Sequence, residues 1–292
     1  MTVSTTVVIP CFNAWQYTEA CLASLAHRTP EPHDVVLVDN GSTDGTSERF
    51  ASLGPGTLIR NDENLGFSLA ANQGIEQSAG DVVVLLNNDT ILTEGWLGAL
   101  LDALSADADV GVAVPVSNFV IDPQKVPVTY SAAPGAELDA FAADRAHRFA
   151  GKGRDTTRIS GLCMAIRRDL LAQIGGFDPR FRLGNFEDDD FALRARAAGW
   201  RLRLREDSFV HHFGHRTFTQ LDEDFDALLH ENAARFCMKW DLPLDRDPRG
   251  CDPPRPFDPQ RDRVPLDLAT HVRARAGEIP RMGSQVSAAP AD

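Results

Sequence analysis

Along the first two thirds of the chain, short runs rich in β-branched residues alternate with longer stretches of mixed apolar and polar spacing. The run Val82-Val83-Val84-Leu85-Leu86 is the sharpest. Five apolar residues without polar alternation read as a strand buried on both faces, as in the middle of a parallel sheet. The run stops abruptly at Asn87-Asn88-Asp89. Similar runs predict strands at residues 5–9, 34–38, 57–60 and 110–116, and the stretches between them predict helices at 15–26, 66–77 and 96–104. Strands and helices alternating at this spacing make βαβ units. The expected fold is α/β, a Rossmann-like, mostly parallel central sheet flanked by helices.

Residues 117–157 are rich in Pro, Ala and charge, and here the pattern weakens into an insertion with one expected helix at 138–149. Order returns with a strand-like run at 159–166 and a helix at 169–174, stopped by Gly175-Gly176. A helix over 186–196 is acidic at its start and basic at its end, as the helix dipole favours. Short strands follow at 201–205 and 208–212. A last helix, 222–239, places Phe225, Leu228, Leu229, Phe236 and Trp240 on or near one face. Nine of the 18 prolines lie beyond Leu242. The chain therefore divides into a domain, 1–240, and a Pro-rich tail, 241–292, too poor in apolar residues to pack alone and expected to be extended or disordered.

Composition narrows the function classes. At 292 residues, 43% hydrophobic and 24% charged, the chain can bury a sizeable core. A net charge of -13 argues against nucleic acid as a main partner, because binding a phosphate backbone needs clustered Lys and Arg. The five cysteines are scattered without a CxxC pair and read as thiols of a reducing compartment. The N-terminus lacks a basic leader, and no apolar run approaches the ~20 residues of a transmembrane helix. The expected location is the cytoplasm.

In open α/β sheets ligands bind beyond the carboxyl ends of the strands. Four clusters fall on that edge: residues 10–13, 39–44 and 87–89, and the acidic helix start at Glu187 and Asp188. Each alone has a plain structural alternative. Asp89 can be a turn carboxylate capping the next helix, residues 187–190 can stabilise a helix dipole, and Asn13 and Asn72 can be turn and cap residues. Four acids at one helix start repel one another, which is more than capping requires. Asp190 and Arg194, four apart, read as a structural pair. Trp96, Phe119 and Trp200 read as core residues.

Taken together and in order, the segments Val8-Ile9-Pro10-Cys11-Phe12-Asn13, Val38-Asp39-Asn40-Gly41-Ser42-Thr43-Asp44-Gly45-Thr46, Asn64-Leu65-Gly66-Phe67 with Asn72 and Gly74, Asn87-Asn88-Asp89, Gly175-Gly176-Phe177-Asp178, Phe186-Glu187-Asp188 and Val210-His211-His212-Phe213-Gly214-His215-Arg216-Thr217 resemble the inverting family 2 glycosyltransferases of GT-A fold. The resemblance spans about residues 5–240, and the part from Phe186 to Trp240, with Asn232, looks like the bacterial rhamnosyltransferase-like branch.

The resemblance implies transfer of a sugar, rhamnose among the candidates, from a UDP- or dTDP-linked donor to a hydroxyl of a glycan, a lipid-linked saccharide or another metabolite. Asp89 takes the metal-binding place of the family's DxD motif, for Mn²⁺ or Mg²⁺, although Asn87 stands where relatives often carry Asp. His212 is the implied second ligand and His211 the alternative. Asp188 is the implied base, and Glu187 holds the donor sugar or the acceptor. On the nucleotide side the resemblance implies Pro10 and Phe12 around the base, Asp39 accepting from a pyrimidine N–H, Asn64 and Gly66 on a closing loop, Asn88 near the ribose, and Asn13 and Asn87 as further nucleotide contacts. Gly161 borders the donor sugar. Residues 117–157 and the last helix fall to the acceptor, and a lipid-linked acceptor would bring the protein to a membrane face without a spanning segment. Two other readings remain. One is a non-catalytic nucleotide-sugar or glycan-binding module of the same fold. The other is a sugar-nucleotide pyrophosphorylase, which needs a Gly-rich basic N-terminal loop that residues 9–13 lack. A glycosidase is disfavoured, since two opposed carboxylates need no nucleotide-binding sheet edge.

Overall fold

The computed structural model describes residues 3–54, 56–131, 135–214, 225–245 and 247–266. Strands and helices alternate as β1 (Thr5–Cys11), α1 (Trp15–Arg28), β2 (Asp34–Asp39), α2 (Thr46–Ser52), β3 (Thr57–Arg60), α3 (Phe67–Gln77), β4 (Val82–Leu86), β5 (Thr90–Leu92), α4 (Trp96–Ala106) and β6 (Val110–Val116). The second half adds α5 (Ala136–Arg148), β7 (Gly153–Thr156), β8 (Cys163–Arg167), α6 (Arg168–Ile174), α7 (Glu187–Ala197), β9 (Arg201–His212) and α8 (Phe225–Trp240).

The strands form one sheet in the order β3-β2-β1-β4-β8-β6-β9-β5, with β7 beside β9. Side chains alternate through it, as a strand's period of two dictates. Val8, Val83 and Leu85 enter a core with α3, α5, α6 and α7, whereas Val7, Ile9, Val82 and Val84 enter a second core with α1, α2 and α4. Both faces are covered, which explains the unbroken apolar runs.

The mostly parallel expectation describes β1 to β4, whose three pairings are all parallel. Beyond them the sheet is mixed. β8 runs antiparallel to β4 and β6, β6 pairs parallel with β9, and β5 and β7 run antiparallel to β9. A strand buried on both faces carries the same apolar signature in either direction, so the sequence pattern is blind to this reversal. The two short strands expected at 201–205 and 208–212 are one strand, with a register shift where Pro115 faces Arg205 and Val116 faces Phe209.

The insertion at 117–157 is only in part a cavity wall. α5 buries Leu138 and Ala142 in the main core and β7 extends the sheet, while Phe119, Val120, Ile121 and Lys125 reach the cavity described below.

The Asp190–Arg194 pair is present, fully buried at 2.8 Å, and Arg194 also donates to the carbonyls of Ile174 and Gly176. Lys239 bridges Asp190 (2.6 Å) and Asp178 (2.8 Å), fixing the end of α8.

The chain after α8 does not hang free as far as Leu266. Val264 is buried between Ile174 and Gly176, donating to one carbonyl at 3.0 Å and accepting from the other amide at 2.9 Å. Arg255 meets the buried Asp262 at 2.5 Å. Phe257 and Leu266 pack against the main core. The few apolar residues of this segment cannot fold alone, but they dock on a core already formed. Residues 267–292, and His215, Arg216, Thr217 and the expected helix start at 222–224, lie outside the described residues. No helix among the described residues is long and apolar enough to cross a membrane.

Candidate functional site

A cavity of about 380 Å³ opens at the carboxyl edge of β1, β2 and β4. The first of its walls follows from strand register. β5 pairs with β9 so that Thr90 faces His212, which brings the imidazole beside Asp89. Asp89 Oδ1 lies 3.1 Å from His212 Nε2, and His212 Nδ1 donates to the Phe119 carbonyl at 2.7 Å. With that proton committed, a neutral ring turns a lone pair toward the Asp89 carboxylate. Two acceptors then face each other, and a shared proton or a cation must reconcile them. Burial opposes protonation, yet Asp89 holds the His212 pKa above its ordinary value. One carboxylate and one imidazole, oriented by a backbone carbonyl, fit a hard divalent cation that completes its shell with ligand oxygens. No group of three or more His, Cys, Asp or Glu suited to a metal occurs among the described residues.

His211 points elsewhere. Its Nδ1 meets the Tyr130 hydroxyl at 2.7 Å, and burial lowers its pKa to about 4.

The second wall is the start of α7. Asp188 Oδ2 accepts from the Gly161 amide at 3.1 Å, and Oδ1 accepts from the Asp189 amide at 2.8 Å. Burial raises the Asp188 pKa against the pull of those amides. Burial and the Asp188 charge push Glu187 well above its usual range, and Glu187 Oε2 is buried without a hydrogen-bond partner among the described residues. Asp189, also buried, is pushed up to about 7, although it pairs with Arg158 at 3.0 Å. Asp89, Gly161, Glu187, Asp188 and His212 thus line one cavity.

The nucleotide-side expectations divide. Pro10, Phe12, Asn64 and Asn87 line the cavity. Gly66 does not line it; a Cβ there would overlap the Arg182 carbonyl. Asp39 does not reach the cavity. Fully buried, it accepts from the Ser42 amide at 2.9 Å and from the Ser47 hydroxyl, holding the turn before α2. Its neighbour Asn40 lines the cavity instead and bonds to Asn64 Oδ1 (2.8 Å) and the Leu65 amide (3.1 Å). Asn88 turns away to the Thr18 hydroxyl at 2.9 Å. Asn13, at φ 51, accepts from the Thr43 amide at 2.9 Å and shapes a turn. Asn72 clamps Phe177, accepting from its amide and donating to its carbonyl, both at 2.7 Å.

Of the three aromatics expected in the core, Trp96 is fully buried and Trp200 packs against the core, but Phe119 is exposed in the cavity wall, edge-on to His212. Sequence reasoning also missed Lys125, Arg158 and Arg249, which line the cavity from three separate segments.

The fold is that of the GT-A glycosyltransferases. Solved structures share the architecture: GalNAc-T7 with UDP, GalNAc and Mn²⁺ (TM-score 0.64, 18% identity, 82% of this chain and 48% of that one), and a mannosyltransferase of Pyrobaculum calidifontis with GDP-Man and Mn²⁺ (TM-score 0.55, 20% identity, 96% and 77%). Residues 6–175 match the family model described as glycosyl transferase family 2, and the chain belongs to that family. Over 236 residues it is 31% identical to the N-acetylglucosaminyl-diphospho-decaprenol L-rhamnosyltransferase of Mycobacterium tuberculosis, covering 72% of this chain and 76% of that protein. It is also 27% identical over 209 residues to the glycosyltransferase AglE of Haloferax volcanii, covering 69% and 64%.

Proposed function

We propose that the protein is a metal-dependent inverting glycosyltransferase that moves a sugar, L-rhamnose on a dTDP or UDP carrier, to a hydroxyl of a saccharide borne on a lipid diphosphate. The observation that carries this reading is the meeting of the Asp89–His212 pair with Asp188 in one cavity. The donor and acceptor classes are supported by the name of the M. tuberculosis relative.

Single displacement at an anomeric carbon needs a base for the acceptor proton on the face opposite the leaving group. Asp188, held by two backbone amides, has that role. Glu187, with a buried oxygen free of partners among the described residues, holds a sugar hydroxyl beside it. Asp89 and His212 would hold Mn²⁺ or Mg²⁺, which supplies Lewis-acid stabilisation of the departing diphosphate. Pro10, Phe12, Asn40 and Asn64 enclose the nucleotide. A lipid-borne acceptor would bring the domain to a cytoplasmic membrane face.

The test is nucleoside diphosphate release from a panel of UDP-, dTDP- and GDP-sugars, with Mn²⁺ and with EDTA, and the anomeric configuration of the product. Release that needs the cation and yields an inverted linkage is expected. No release from any donor under either condition would leave a binding module of the same fold.

A further inference from the structure

Between the single turn Pro179–Phe181 and α7, residues 182–186 build part of the cavity wall. Leu183, Gly184, Asn185 and Phe186 line it, and the segment delivers Glu187 and Asp188. Its backbone follows a costly path. Arg182 (φ 54, ψ -117), Asn185 (φ 73) and Phe186 (φ 72) all have positive φ, and none is glycine. Such conformations persist only where the surroundings impose them.

Asn232 imposes this one. Fully buried on α8, its Nδ2 lies 2.8 Å from the carbonyls of Phe181 and Gly184 and 3.1 Å from that of Asn185. Its Oδ1 accepts from Arg235 at 2.6 Å. An NH₂ group serves carbonyls turned inward from one segment, which neither a carboxylate nor an apolar side chain can do. α8 is itself fixed by Lys239 and by the Phe236 ring, 5.5 Å from Phe186. Asn232 does not line the cavity, whereas Leu229, one turn before it, does.

We propose that Asn232 is a positioning residue for transfer, clamping residues 182–186 in the left-handed path that aims Asp188 and Glu187 into the cavity. The inference rests on the reading of Asp188 as the base. It gives a catalytic purpose to a helix beyond the residues matched by the family model.

The test is steady-state kinetics of the full chain carrying Asn232→Ala, alone and with Arg182→Gly. Glycine adopts the Arg182 conformation without steric strain, and the Arg182 side chain is partly exposed, meeting Glu231 at 3.9 Å. Asn232→Ala should lower kcat by about 30-fold or more, with the donor KM and the Mn²⁺–UDP thermal shift within about threefold of wild type. Adding Arg182→Gly should recover kcat about fivefold or more, because the strain that the clamp opposes is gone. Asn232→Asp, of the same shape but without the donor, should do no better than alanine. Should the alanine variant not fold, Asn232→Ser carries the same comparison. A kcat within about threefold of wild type, a parallel loss of donor affinity, or no recovery with Arg182→Gly would overturn the proposal. Asp188→Asn assayed alongside separates the two readings. If it keeps turnover the base assignment falls; if it loses turnover while Asn232→Ala does not, only the clamp falls.

Discussion

Two carboxylates of one cavity sit in opposite surroundings. Asp89, itself buried, faces an imidazole it helps to charge, whereas Asp188, part-exposed in the cavity wall, accepts from two backbone amides. Asp188→Asn should lower transfer by about 10²–10⁴-fold while leaving nucleotide affinity intact, since the amide keeps the size, gives up one of the two backbone N–H contacts and loses the base. The sign of the pH effect follows from burial. A base whose pKa is raised is lost to protonation at a higher pH than a free carboxylate, so kcat/KM should fall on acidification with a midpoint above the ordinary aspartate value of about 3.9. An acid limb at or below the free-carboxylate value would remove Asp188 from the mechanism. Asp89→Ala and His212→Ala should each abolish the Mn²⁺-dependent rise in Tm on adding UDP, worth about 2.7 kcal/mol at a hundredfold excess over Kd. An intact manganese response in either variant would refute the ligand pair.

At the scale of elements, loops of unusual backbone meet where helices hold them. Gly66, at φ 88, sits directly against the Arg182 carbonyl. Gly66→Ala should cost about 1–3 kcal/mol in folding and weaken nucleotide binding, because the Asn40–Asn64 loop must move to relieve the overlap. Denaturant titration and a UDP thermal shift check both. Lys239 joins the end of α8 to Asp178 and Asp190. Burial opposes ionisation of Asp178, but Lys239 and Arg180 hold its pKa well below the carboxylate range. The stability it contributes is therefore present above the unfolded pKa of about 3.9 and is lost as pH falls toward the depressed value. Lys239→Met should lower stability at neutral pH by about 3 kcal/mol and flatten the acid end of the stability–pH curve.

For the whole molecule, the segment after α8 is part of the domain. It hydrogen-bonds through Val264 to the Ile174–Gly176 turn, covers Trp240 with Arg255 and brings Arg249 to the cavity. A chain ending at Leu244 should show a lower Tm and slower transfer than the full chain. Equal Tm values would mean that the docked segment adds nothing to stability.

The elements themselves were legible because local spacing carries them. β4 announces its burial through five apolar residues, and α7 announces its start through four acids and its end through Arg194 and Arg196. The motif order also marked the carboxyl edge, and with it Pro10, Asn64, Asp89, Glu187, Asp188 and His212, all of which line the cavity. Which way a neighbouring side chain points was not legible. Asp39 and Asn40 are adjacent in one motif, yet one is spent on Ser42 and Ser47 and the other faces the cavity. Likewise Asn88 turns to Thr18 while Asn87 and Asp89 do not. The direction of β8, the docking of residues 247–266 and the clamp from Asn232 depend on contacts between residues far apart in sequence. Local pattern sets which segments become strands and helices; only tertiary packing selects their direction, their partners and the side of the backbone on which each polar group is satisfied.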